Sequence, residues 1–161
     1  YSSDLQRTRN SAQFIGQQHG LEPVAYSELR ELSFGTWEGM SVSEVERNFP
    51  GQMKKRMESV ATFQADGGET YPQLQARVIP KFEEIVALHP NEQIAMVCHG
   101  GVNRVILGHL LGIPMDRIFR IHQDYAALNV IQYYDQEPVV EYIGNAELFA
   151  SRKDEIKTAI Q

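Results

Sequence analysis

Gln93-Ile94-Ala95-Met96-Val97-Cys98-His99-Gly100-Gly101-Val102-Asn103-Arg104 is the stretch on which the fold turns. The near-continuous apolar run from Gln93 to Cys98 predicts a strand buried on both faces. It stops at His99-Gly100-Gly101, and a helix over Val102 to Leu111 is expected to start at once. In open α/β sheets ligands bind where a strand ends and a helix begins. The helix start offers unpaired N–H groups and the positive end of the dipole, which suits phosphate. The glycines let backbone approach a ligand closely. A histidine there can donate a hydrogen bond or do acid/base work near neutral pH. The plainer alternative is that His99 hydrogen-bonds a loop, but strand end, glycine pair and helix start together favour function. Cys98 should point to the opposite face and reads as a small core hydrophobe.

Working outward, helices and strands alternate, which favours one α/β layer architecture. Asp4 to His19 has Leu5, Thr8, Ala12, Ile15 and Gly16 on one helical face, with Ser2 or Ser3 as cap and Gly20 as stop. A short strand over Glu22 to Tyr26 follows, then a loop from Leu29 to Gly39. Ser41-Val42-Ser43-Glu44 is a capping box opening a helix that Pro50-Gly51 ends. Gln52 to Ala65 reads as a second short helix. Thr70 caps the strongest helix, Tyr71 to Leu88, with Leu74, Val78, Phe82 and Ile85 as core stripe. A short helix near Asp116 to Phe119 and two strands, Leu128 to Tyr134 and Val139 to Ile143, come next. A surface helix is expected from Glu147 to Ile160.

The 161 residues suffice for one buried core, and 42% hydrophobic with 22% charged residues is ordinary globular composition. No apolar run reaches the roughly 20 residues of a membrane helix, so no membrane span is expected. A net charge of −6 argues against nucleic acid as a partner. It leaves room for an anionic small molecule, which needs only a few local cations. Cys98 is the one cysteine, so no internal disulfide forms and a reducing, cytoplasmic setting is expected.

Two further segments carry candidate chemistry. In Ser2-Ser3-Asp4-Leu5-Gln6-Arg7, Arg7 falls in the first turns of a helix, and arginine suits bidentate bonding to a phosphoryl group. Spacing alone makes it an ordinary solvated arginine like Arg9. In the Leu29 to Gly39 loop, Glu31 and Glu38 are candidate general acids, since a carboxylate beside a bound dianion has its pKa raised. The plainer alternative for Glu31 is a surface ion pair with Arg30. Trp37 reads as core. His19, His89, His109 and His122 show no metal-ligand spacing, and nucleotide-loop and nucleophile-elbow sequences are missing. We expect no metal and no cofactor.

Taken in order, three stretches resemble the histidine phosphatase (phosphoglycerate mutase-like) superfamily. They are Ser2-Ser3-Asp4-Leu5-Gln6-Arg7-Thr8 with Ala12, the loop Leu29-Arg30-Glu31 through Trp37-Glu38-Gly39, and Val97-Cys98-His99-Gly100-Gly101 with Arg104. Gly67-Gly68-Glu69-Thr70 followed by Arg77 adds a further feature. The resemblance implies a three-layer α/β/α sandwich with a mostly parallel central sheet. It also implies phosphomonoester hydrolysis without metal, in which a histidine of an Arg-His-Gly motif attacks phosphorus and water then hydrolyses the phosphohistidine. By position, Arg7 resembles the phosphate-clamping arginine, Glu31 the proton donor and His99 the second pocket histidine. The Gly100 N–H and Ser3 are assigned to the phosphate pocket in the same way.

No Arg-His-Gly triplet occurs in the chain. The resemblance therefore implies that the nucleophile, its arginine and their strand lie before Tyr1, and that residues 1–161 are one domain lacking its first β-strand. The short segment between Gly39 and Gly67 favours a small phosphatase, similar to α-ribazole phosphatase, over a mutase. Three functions stay open: a phosphatase of a small phosphorylated metabolite, a bisphosphoglycerate-dependent phosphoglycerate mutase, and a noncatalytic phospho-ligand binder. A monomer or homodimer is expected.

Overall fold

The computed structural model describes residues 1–135 and 137–145. Three extended segments run parallel. Strand β1 (Ser2–Ser3) pairs with β2 (Ala25–Tyr26), with Ser2 opposite Ala25 and Ser3 opposite Tyr26. On its other side β1 meets Val97 through an isolated parallel bridge from Ser2. Val97 N–H donates to Tyr1 O at 2.9 Å and Ser3 N–H to Val97 O at 3.4 Å. A separate antiparallel hairpin, β3 (Ala127–Tyr134) and β4 (Glu137–Asn145), has a register shift between Val130 and Ile131.

The helices are α1 (Gln6–His19), α2 (Val42–Asn48), α3 (Gln52–Glu58), α4 (Tyr71–Leu88) and α5 (Gly100–Leu110). The expected capping box of Ser41 with Glu44 forms, and Thr70, expected as an N-cap, makes a second box with Gln73. Gly20 ends α1 in the left-handed conformation, as a C-terminal glycine should. The core lies between α4 and α5. Leu74, Val78 and Ile85 of the predicted stripe are fully buried, with Phe82 close behind, and Leu74, Val78 and Phe82 share one cluster with Val102 and Val105.

Several expectations need correcting. The Gln93–Cys98 run is extended but not buried on both faces: Met96 and Cys98 are half-buried and Ala95 is exposed. Only one of its edges is paired. The backbone groups of Ile94, Met96 and Cys98 have no backbone partner among the described residues. Helix α5 starts at Gly100, two residues early, with His99 as its N-cap. Neither Ser2 nor Ser3 caps α1; Leu5 holds the N-cap position without a side-chain bond, because the Ser3 hydroxyl is committed elsewhere. Ile15 faces solvent rather than the core. The Glu22–Tyr26 strand shrinks to two residues, and the helix after Gln52 stops at Glu58. The Glu147–Ile160 helix lies outside the described residues. No described helix is long and apolar enough to cross a membrane.

Candidate functional site

The N-terminal end of α5 gathers residues from four segments. His99 is buried, with 7% exposure, and its Nε2 is 2.7 Å from Ser3 Oγ. Ser3 Oγ also meets Thr8 Oγ1 at 2.6 Å. The Thr8 hydroxyl in turn lies within reach of the Leu5 carbonyl at 2.9 Å and the Ser3 carbonyl at 3.1 Å. The end of β1 and the first turn of α1 thus fix the ring. Burial first, then the cations of Arg7 and Arg77, pull the His99 pKa down to about 4. His99 is therefore neutral at physiological pH.

Glu31 approaches the same helix start from the loop after β2. The Gly101 N–H is shared between its two carboxylate oxygens, 3.1 Å each, and the Leu32 N–H donates to Oε1 at 2.9 Å. Glycine at 101 leaves the carboxylate its place, because a Cβ there would push Glu31 Oε1 away. The ion pair considered for Glu31 and Arg30 does not form. Arg30 grips Asp4 instead, Nε to Oδ1 at 2.6 Å and Nη2 to Oδ2 at 2.7 Å.

Arg77 of α4 anchors the Glu31 loop. It holds Glu69 in a bidentate pair, both bonds 2.8 Å. It also donates to the carbonyls of Glu28 at 2.7 Å, Arg30 at 2.9 Å and Glu31 at 3.1 Å. The Gly67-Gly68 turn is laced to the same loop by Thr36 N–H to Asp66 O and Glu69 N–H to Ser33 O, both 2.9 Å. Gly35, at φ 53°, permits this approach, since any side chain there would run into the 66–68 backbone.

The structure brings together Ser3, Glu31, His99, Gly100 and, through its field on His99, Arg7. The Arg7 side chain is exposed and makes no hydrogen bond or ion pair among the described residues. The Gly100 N–H is likewise without an acceptor there. Glu38 is not brought in: it is exposed and accepts from Phe34 N–H at 2.7 Å. Trp37 packs with Phe49 and Phe63, as core. Burial pushes the Cys98 thiol up to about 12, which makes it inert near neutral pH. Sequence reasoning missed Thr8 as a link to His99 and the clamping role of Arg77. The signals were a polar residue on the core face of α1 and an arginine eight positions after Glu69.

A buried neutral histidine, a helix start whose first N–H is open, a loose arginine and a docked carboxylate define an α/β protein with a candidate phosphate pocket. The family model of the histidine phosphatase superfamily (branch 1) matches residues 1–146, and the chain belongs to this superfamily. Phosphoserine phosphatase 1 of Hydrogenobacter thermophilus is 29% identical over 140 residues, covering 87% of this chain and 66% of that protein. Glucosyl-3-phosphoglycerate phosphatase of Mycobacterium tuberculosis is 30% identical over 122 residues, covering 71% and 54%. The chain thus spans about half to two thirds of the length of these curated relatives. The structure of a mycobacterial glucosyl-3-phosphoglycerate phosphatase with inorganic phosphate superposes at a TM-score of 0.77, with 26% identity over 88% of this chain and 73% of that one. The α-ribazole phosphatase from Shigella flexneri superposes at 0.78 with 18% identity, over 89% and 71%, a likeness of fold.

Proposed function

We propose that residues 1–161 form one domain of a metal-independent phosphomonoesterase acting through a phosphohistidine, with the nucleophilic histidine upstream of Tyr1. The observation that carries this is His99, buried and neutral at the start of α5, beside an unengaged Arg7 and a free Gly100 N–H. Arg7, the Gly100 N–H and His99 hold the phosphoryl oxygens, with Ser3 orienting His99. The upstream histidine nitrogen attacks phosphorus as the ester P–O bond breaks, and Glu31 gives its proton to the leaving oxygen. Glu31 then takes a proton from water, which attacks the phosphohistidine and releases phosphate. A bound dianion favours the acid form of a carboxyl beside it, so substrate itself prepares the donor.

The unpaired edge of residues 94–98 supports an additional strand there, since extended backbone half inside a protein needs partners. The substrate is a small phosphorylated metabolite. The relatives named for phosphoserine and glucosyl-3-phosphoglycerate support a small phosphatase, whereas the α-ribazole substrate has only a likeness of fold behind it. We take the enzyme to be cytoplasmic, as a monomer or homodimer. The test is the full-length protein on an aryl phosphate in EDTA. Vanadate-sensitive hydrolysis with an acid-labile phosphoenzyme is expected. Turnover of phosphoglycerate only with bisphosphate would replace the reading by a mutase, and phosphate binding without a phosphoenzyme by a noncatalytic binder.

A further inference from the structure

His99 is held through Nε2, and the hydrogens that hold it can be counted. Nε2 meets the Ser3 hydroxyl, Ser3 meets the Thr8 hydroxyl, and Thr8 ends on the carbonyls of Leu5 and Ser3. All three side chains are buried, so bulk water does not complete the chain. Each hydroxyl has one hydrogen to give, and so does a neutral imidazole. Two orders satisfy these limits. In the first, Nε2–H donates to Ser3, Ser3 to Thr8 and Thr8 to a carbonyl, which makes three hydrogen bonds and leaves Nδ1 bare. In the second, Thr8 donates to Ser3 and Ser3 to Nε2, which makes two bonds and puts the ring proton on Nδ1. A mixed order would leave lone pairs facing each other across the 2.6 Å between Ser3 and Thr8. The Leu5 N–H, 3.4 Å from Ser3 Oγ, donates equally in both and does not choose.

By this count the free protein favours the first order by one bond. Burial and the cations of Arg7 and Arg77 keep the ring from holding a second proton near neutral pH. Yet a phosphoryl group needs a donor, and with Nε2 engaged by Ser3 that donor has to be Nδ1. A bare Nδ1 would instead turn a lone pair toward the anion. The second order removes this conflict. The Leu5 carbonyl already receives the N–H groups of Thr8 at 3.1 Å and Arg9 at 3.0 Å, so it keeps partners when the Thr8 hydroxyl turns away. The bond given up is neutral, and the bond gained, from Nδ1–H to a phosphoryl oxygen, is charge-assisted and stronger.

We propose that Thr8 is a positioning residue whose hydroxyl lets the Ser3 relay reverse when phosphate binds, moving the His99 proton from Nε2 to Nδ1. The two hydroxyls keep their hydrogens and rotate. The ring gives one proton to water and takes one from water on the other nitrogen, so the net count is unchanged. The inference rests on the phosphatase reading of the pocket. The test is NMR of the imidazole nitrogens in the full-length protein, with and without inorganic phosphate, in mildly alkaline buffer. The proton should sit on Nε2 without phosphate and on Nδ1 with it. Thr8→Val leaves the Ser3 hydrogen no acceptor but Nε2. Its ring should carry the proton on Nδ1 even without phosphate, and phosphate should bind roughly fivefold tighter, the worth of one neutral hydrogen bond. Thr8→Ser should behave as the wild type. A Thr8 that only supports the structure would make Thr8→Val bind phosphate more weakly. Such weakening, a ring signature that phosphate or Thr8→Val leaves unmoved, or a phosphate complex with both nitrogens protonated overturns the proposal. A proton that moves in Thr8→Val, in a protein that binds no phosphate, keeps Thr8 as the residue that sets the tautomer and removes the phosphatase reading. Vanadate-sensitive turnover with an unmoved ring does the reverse.

Discussion

Glu31 docks on the helix start and Arg7 acts on it only through its charge on His99, so the fold treats the two in opposite ways. Glu31 is pinned: three N–H···O contacts hold its carboxylate, Arg77 holds its carbonyl, and Gly101 leaves room for it. Arg7 is exposed and unpaired among the described residues. Pinning suits a group that must deliver a proton at one atom, since small misplacements of such groups are costly. Looseness suits a cation that closes on a ligand, because no protein partner has to be given up first. His99 lies between them, fixed by Ser3 and kept neutral by burial.

The contrast can be broken by substitution in the full-length enzyme. Glu31→Gln keeps an acceptor for Gly101 but removes the proton. It should slow esters with poor leaving groups by roughly a hundredfold to ten-thousandfold and activated aryl esters far less. Equal losses on both would end the donor role. Arg7→Ala should lower kcat/KM by about a hundredfold to a thousandfold, the effect of losing one preorganised donor. Its thermal midpoint should barely move, because no contact is lost; unchanged kcat/KM would take Arg7 out of the pocket.

His99 sharpens the comparison through pH. Its folded pKa of about 4 lies below the ordinary 6.5, so the unfolded chain binds the extra proton between those values. Stability from this group is complete above pH 6.5 and is lost as pH falls toward 4, by about 3 kcal/mol in all. Denaturant midpoints across that window should fall for the wild type and flatten for His99→Asn. An equal slope in both would assign the loss to other groups. The smallest effect is expected for Arg77→Lys, which keeps the charge but loses the bidentate grip on Glu69. A roughly tenfold drop, confined to poor leaving groups, should follow from a looser Glu31. An equal drop on activated esters would show general disorder instead.

What the sequence made legible was local. The Thr70 cap, the α4 stripe and the Ser41 box depend on residues within a few positions of one another, and each formed as expected. The site residues Ser3, Glu31, His99 and Gly100 were legible as a set through the ordered motifs, and they do converge. The links that converge them were not. Ser3 meets His99 across 96 positions and Glu31 meets Gly101 across 70, and no periodicity encodes such pairings. The Gln93–Cys98 run misled for a related reason. Its apolar content asks for cover on both faces, but burial also needs neighbours on both edges, and only β1 supplies one.

One consequence follows from how α5 begins. Its N-cap, His99, contributes no side-chain bond to the exposed N–H groups, and the carboxylate that serves Gly101 comes from Glu31, far away in sequence. Glu31 is in effect a tertiary cap, a role usually worth about 1 kcal/mol. The helix that supports the proposed phosphate pocket thus borrows stability from the proposed acid. A chain that discards the acid, as Glu31→Ala would, weakens the scaffold along with the chemistry, and inactive descendants of this fold should keep an acceptor at that position.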